Sequence, residues 1–234
     1  MAITIGATKS NSGNQTNSSS FSFNHTTDAN TKCLVVVVTG VDSSATDSVV
    51  SGVTWNTIAL QQIAGGRYRV GNDFISIWYK VLPTIEAVKS IAVTMGGTCT
   101  DVQATALNLI DASAYSIDYD SFDTGTGTGS ATSAVSPAAS GSIAVGGGVA
   151  DGGTPASLSI TTGTESTGSE VDMGSQCASV GYASESGGVA TIVWTYAAVV
   201  CSSLAATFKV ETAPSVSPGA FAKATNGMVG SGVF

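Results

Sequence analysis

Apolar residues recur at every second position along most of this chain, and that period constrains the fold more than any other feature. "FISIWYKVL" sets Ile75, Ile77, Tyr79 and Val81 against Phe74, Ser76, Trp78 and Lys80. "SIAVTM", "ATIVWTY" and "LAATFKVE" repeat the pattern around Ile91, Ile192 and Leu204. Alternation of this kind marks strands with one face on a core. "CLVVVVTG" is apolar throughout, as expected of a strand covered on both faces. No segment keeps a helical period, and only "TIEAVKS" could make a single helical turn. Gly, Asn and Ser interrupt about a dozen such strands at the ~8 to 12 residue spacing of an antiparallel sandwich or barrel. Tight turns are expected at Asn56-Thr57, Gly96-Gly97, Gly152-Gly153 and Gly187-Gly188.

The alternation is confined to residues 33–212, which predicts one all-β domain there. Residues 1–32 read as an N-terminal arm with a first short strand, and residues 213–234 as a C-terminal arm. Between Lys9 and Ser20 the chain has almost no apolar residue, so burial within its own fold offers little to offset the entropy of ordering it. That arm is expected to lie on another subunit.

Composition narrows the function classes. Only 10% of residues are charged and the net charge is −8, so the polar surface is built from Ser, Thr, Asn and Gly. Eight Lys and Arg form no basic stripe, which argues against nucleic acid, although "GRYR" places Tyr68 between Arg67 and Arg69. The opening residues lack the n- and h-regions of a secretory signal, and no apolar run is long enough to span a membrane. The expectation is a protein made in a cytoplasm, with no membrane partner. Cys33, Cys99, Cys177 and Cys201 lack CxxC spacing, and His25 stands alone, so no Cys/His metal set is expected. The cysteines read as small core residues; if one pair forms, Cys99 with Cys201 is the choice.

The densest charge lies in "SIDYDSFDTGTGTGSATSAVS", residues 116–136. Asp118, Asp120 and Asp123 miss the calcium-loop pattern, because Phe122 takes the fifth position and no bidentate Glu follows. They also sit too close along one segment for a glycosidase pair. Alternation with Ile117 and Tyr119 accounts for Asp118 and Asp120 as the wet face of a strand. A Ser-His-Asp set would depend on His25 alone, and no G-x-S-x-G elbow is present. Neither a catalytic residue, a metal ligand nor a cofactor is expected. Trp55 and Trp78 could form an exposed glycan platform, whereas Trp194 falls on a core face.

The order "GVTWNTIALQQI", "FISIWYKVLP", "SIAVTMGG", "TALNLID", "SIAVGGGVA" and "ATIVWTY…SSLAATFKV" resembles a group of jelly-roll proteins found among tailed-phage virion proteins and environmental bacteria. The resemblance covers roughly residues 33–212. It implies an antiparallel jelly-roll sandwich in a virion structural protein, a capsid decoration (cement) protein or tail accessory. Its partners would be the major capsid protein or other virion subunits, within a homo-oligomer for which a trimer is favoured. Phe221, Met228, Val229 and Phe234, spaced among glycines, would be the anchors set into a neighbour. The alternative is a glycan-binding receptor module using Trp55 and Trp78.

Overall fold

A computed structural model describes residues 2–42, 50–81, 88–137, 139–151, 159–166, 171–172 and 176–211. Within them the chain forms strands and turns, and every strand pairing is antiparallel. The first eight strands are β1 (Thr4–Asn11), β2 (Gln15–His25), β3 (Thr31–Val41), β4 (Val50–Trp55), β5 (Ile58–Ala59), β6 (Gln61–Val70), β7 (Asp73–Val81) and β8 (Lys89–Ile110). They make one sheet in the order β5-β4-β8-β3-β7-β6, with β1 and β2 also paired to β8. The second sheet holds β9 (Ser116–Val135), β10 (Ile143–Asp151), β11 (Ser159–Thr162), β12 (Thr164–Glu165), β13 (Val171–Asp172), β14 (Gln176–Ser184) and β15 (Ala190–Glu211). Its order is β11-β15-β10-β14-β12, with β9 paired to β15 and β13 to β14.

The two orders are the same order. β4-β8-β3-β7-β6 corresponds to β11-β15-β10-β14-β12, and the β1–β2 segment on β8 corresponds to β9 on β15. Register makes the match residue by residue. β8 and β15 each have 22 residues, and each breaks register at the same point: β2 jumps from Thr94 to Cys99, β9 from Thr195 to Val200. Val35 of β3 pairs with Leu107, and Ile143 of β10 with Phe208. Gly40 pairs with Val102 and Gly148 with Ser203. One topological unit therefore occurs twice. The sandwich is as expected, but its wiring differs from a single jelly roll, because each sheet draws its strands from one half of the chain rather than interleaving both.

Each sheet also folds over itself. His25 pairs in register with Lys89, yet its ring reaches Asn108 of the same β8 strand. On a straight strand residues 89 and 108 would stand about 60 Å apart. β8 must therefore turn a corner near Gly96-Gly97, where the sequence predicts a turn. β9 folds likewise, since the Asp123 carboxylate accepts a hydrogen bond from the Ala134 N–H at 2.8 Å.

Three apolar layers result. The central one, between the sheets, takes Val35, Val37, Ile75, Ile77, Leu107, Val145, Val180, Leu204 and Phe208. The second fills the folded-over first sheet with Leu34, Val36, Val38, Val53, Trp55, Ile91 and Val93. The third fills the second sheet with Ala144, Ile192, Trp194, Cys201 and Ala205. β3 thus sends alternate residues to two cores, which is why its sequence is apolar throughout. Gly40 and Gly148 stand where aromatic rings pack onto the backbone, Phe74 from the neighbouring β7 strand and Trp194 from the folded-over arm of β15. A Cβ at Gly40 would lie 2.5 Å from the Phe74 ring, and one at Gly148 2.5 Å from the Trp194 ring.

The N-terminal segment corrects the expectation of an arm resting on another subunit. Its residues form β1 and β2, laddered along β8. Backbone pairing supplies what apolar burial does not, and Asn11 adds hydrogen bonds to Gln103 and Thr105, both 2.7 Å. The Asn56-Thr57 turn forms with both residues at positive φ (48° and 71°), as a two-residue hairpin requires. Gly187-Gly188 turns at φ 65° and 86°. Gly152-Gly153, most of "TIEAVKS" and the C-terminal arm lie outside the described residues.

Candidate functional site

Three places gather chemistry-bearing groups. The first surrounds His25, whose side chain is 1% exposed. Its Nε2 lies 3.1 Å from the Asn108 Oδ1 acceptor and its Nδ1 3.0 Å from the Ser10 hydroxyl. The carboxamide fixes the proton on Nε2, and the serine hydroxyl then donates to Nδ1. The Asn108 amide donates to the Thr26 carbonyl (3.0 Å) and to Asp28 (3.1 Å), and Asp28 also accepts from the Thr8 N–H and hydroxyl. Burial pushes the His25 pKa down, against the opposing Asn108 hydrogen bond and Asp28 charge, so the ring is held neutral. Partial burial works to raise Asp28, but the Thr8 and Asn108 hydrogen bonds outweigh it and hold the carboxylate low. A serine on one ring nitrogen and an orienting amide on the other is the connectivity of a nucleophile–base set. A general base must also reach substrate, and here the ring lies beneath β1, β2 and β8. The cluster clamps the folded-over flap to the strands below it. In the second unit Val135 takes the place of His25 and Lys209 that of Asn108, as their registers on β15 show.

The second place is the acidic segment. Its three carboxylates do not converge: Asp118 accepts from the Tyr119 N–H at 2.7 Å, Asp120 pairs with Lys209 at 3.4 Å, and Asp123 caps Ala134. Among the described residues no group of three His, Cys, Asp or Glu side chains is placed to hold a metal. Beside Asp118, Tyr79, Tyr119 and Phe208 form an aromatic cluster with ring centroids 5.9–6.5 Å apart. Burial, with the Asp118 charge added, pushes the Tyr79 phenol up to about 12.

The tryptophans correct a second expectation. Trp55 is 1% and Trp78 8% exposed, and both lie in the second core layer, where the folded-over strands cover them. The Trp78 indole N–H donates to Ser76 at 2.9 Å, so neither ring offers a platform to a glycan. Tyr68 packs against the central core instead of standing between its arginines as a stacking face. All four cysteines are buried, and none forms a disulfide. Cys99 and Cys201 sit in different core layers, one in each sheet, which rules out their pairing. Phe221, Met228, Val229 and Phe234 lie outside the described residues.

The third place was invisible to motif reading. A groove of about 410 Å³ opens beside Gly163, lined by Thr162, Thr164, Ala183, Ser184, Val189 and Thr191 among others. Among the described residues no charged side chain lines it. Its sequence signal lies in comparing the two halves: "SIAVTMGGTCTDVQATALNLI" runs parallel to "TIVWTYAAVVCSSLAATFKVE", and the differences between units then stand out. No protein-family model, no curated protein and no solved structure matches this chain.

Proposed function

We propose that this protein is a structural subunit of a tailed-phage particle, with capsid decoration as the first reading. The observation that carries it is the long edge of the first sheet. The ten-residue β6 ends the first sheet, and an edge strand of that length offers backbone donors and acceptors to a neighbouring chain; the described end of the second sheet is the two-residue β12. The mechanism is binding by area: an interface of ~1,600 Å² per contact, repeated by symmetry, reinforces a shell against internal pressure. With Trp55 and Trp78 buried, the glycan-module alternative loses the residues that suggested it.

The test is retention on shells. Full-length protein mixed with expanded, decoration-free phage heads should co-sediment with them at saturable stoichiometry and raise their disruption temperature. Protein lacking residues 213–234 should stay folded by circular dichroism and fail to be retained. Removing the first 20 residues is expected to destabilise the first sheet, because β1 and four of the nine β2 register pairs on β8 go with it. Full-length protein that stays in the supernatant, and binds a glycan array instead, would refute the reading.

A further inference from the structure

One seam of the first unit is held by hydrogen bonds where its counterpart in the second unit is held by apolar packing. β1 leaves its ladder on β8 between Ile5 and Lys9. Within that break Asp28, from the turn between β2 and β3, accepts the Thr8 N–H at 3.0 Å, and a Cβ on Gly6 would collide with its carboxylate. Beside it stands His25, the last residue of β2, with Nδ1 on Ser10 of β1 and Nε2 on Asn108 of β8. One ring therefore ties the end of the flap to both strands beneath it. Among the described residues β2 pairs only with β8, and Ser20, Ser22 and Asn24 along it are exposed, which places this end at the low-stability margin of the sheet. In the second unit Val135 takes the place of His25, is 1% exposed and packs in the third apolar layer. Ser121 takes the place of Ser10 there and bonds to Thr207 and to the Ser136 carbonyl.

We propose that the Ser10–His25–Asn108 bridge is an acid-released latch, which frees the seam between β1 and the flap in the first unit and leaves the matching seam of the second unit closed. In the neutral ring Nε2 donates to Asn108 and Nδ1 accepts from Ser10. A proton from solvent goes to Nδ1 and turns that acceptor into a donor, so the Ser10 hydroxyl must reverse and its own hydrogen loses its partner. The charged groups around the ring are Asp28, from the β2–β3 turn, and Lys89, its register partner on β8; Thr8 and Ser10 of β1 and Asn108 of β8 bring none. Asp28 gives limited relief, because its carboxylate already accepts from the Thr8 N–H, the Thr8 hydroxyl and the Asn108 amide. Lys89 adds a second positive charge. Opening the seam returns the ring to water, where the charge is solvated. Burial holds the ring's pKa down in the closed seam, so the closed form refuses a proton that the open form accepts, and the latch weakens as pH falls below about 6.5. From about pH 7.5 to about pH 5.5 the open fraction rises at most about tenfold, the limit for one proton. The latch is independent of the virion reading, since it needs only the isolated chain.

Hydrogen exchange of the full-length chain at the two pH values, corrected for intrinsic rates, reads both seams in one sample. The amides of Ser10 and of residues 22–31 should lose protection by about three- to tenfold at the lower pH. They should also stay less protected than the amides of β3, the mark of a local opening. The amides of Ser121 and of residues 130–135, at the seam closed by Val135, should change by less than about twofold. His25→Val, which copies the second unit, should remove the pH response of the first seam; if that variant fails to fold, His25→Gln serves the same end. An unchanged first seam, equal losses at both seams, or a folded His25 variant that keeps the wild-type response would overturn the latch. Because the readout needs no phage shell, its failure would leave the shell-retention test standing, and the converse also holds.

Discussion

One histidine in 234 residues makes the pH dependence of stability unusually easy to assign. His25 is buried and its folded-state pKa is lowered, so between that value and about 6.5 the unfolded chain binds a proton that the folded chain refuses. Stability contributed by the neutral ring is therefore fully present above about pH 6.5 and falls as pH drops below it. For a folded pKa below the window, the loss from about pH 7.5 to about pH 5.5 approaches 1.4 kcal/mol, the ceiling for one proton. The Asn108 hydrogen bond and the Asp28 charge oppose burial and bring the loss under that ceiling. Asp28 acts with the same sign but elsewhere: its depressed pKa gives stability that is lost only as pH falls through the carboxylate range. Urea titrations at the two pH values should show the midpoint moving down by about 0.5 M, at an m-value near 3 kcal/mol/M. His25→Gln will be less stable throughout, yet its midpoint should be nearly flat across the same interval. A flat wild type, or a His25→Gln protein with the wild-type slope, would refute the buried-neutral assignment.

Other perturbations test the packing and the candidate sites. Gly148→Ala should cost about 1–3 kcal/mol in thermal or urea unfolding, because its methyl would stand 2.5 Å from the Trp194 ring and force that layer to move. Melting temperatures in EDTA and in millimolar calcium should agree within a few degrees, since Asp118, Asp120 and Asp123 are each engaged separately; a large calcium-dependent rise would restore the acidic segment as a site. A thiol reagent should find none of the four cysteines in native protein and all four in denaturant, and burial, which raises the Cys99 pKa to about 12, keeps that thiol protonated at neutral pH. Asp120→Asn should change stability by less than about 1 kcal/mol, as its partner Lys209 is solvent-accessible and the pair is screened.

The sequence by itself determined the strands, the two-sided burial of β3, the Asn56-Thr57 and Gly187-Gly188 turns, and the inward direction of Trp194. Each is a local property: alternation sets which residues share a face, and turn chemistry sets where φ turns positive. Only the tertiary structure decided what lies against each face. "SIAVTM" and "VQATALNLI" read as two strands, but they are the two arms of β8, bent so that one layer covers the other. That bend buried Trp55, which stands beside a hairpin turn, and Trp78, which shares its strand face with Ser76 and Lys80. The N-terminal segment gave no apolar signal because its order comes from backbone pairing with β8 and from amide and hydroxyl partners far along the chain, Gln103, Thr105 and Asp101 among them. The doubled unit escaped notice for a related reason. Its two copies keep register and face, which fix the fold, while sharing few identical residues. A ladder of hydrogen bonds does not depend on which side chains it carries, so equivalence of position becomes visible only once the strands are paired.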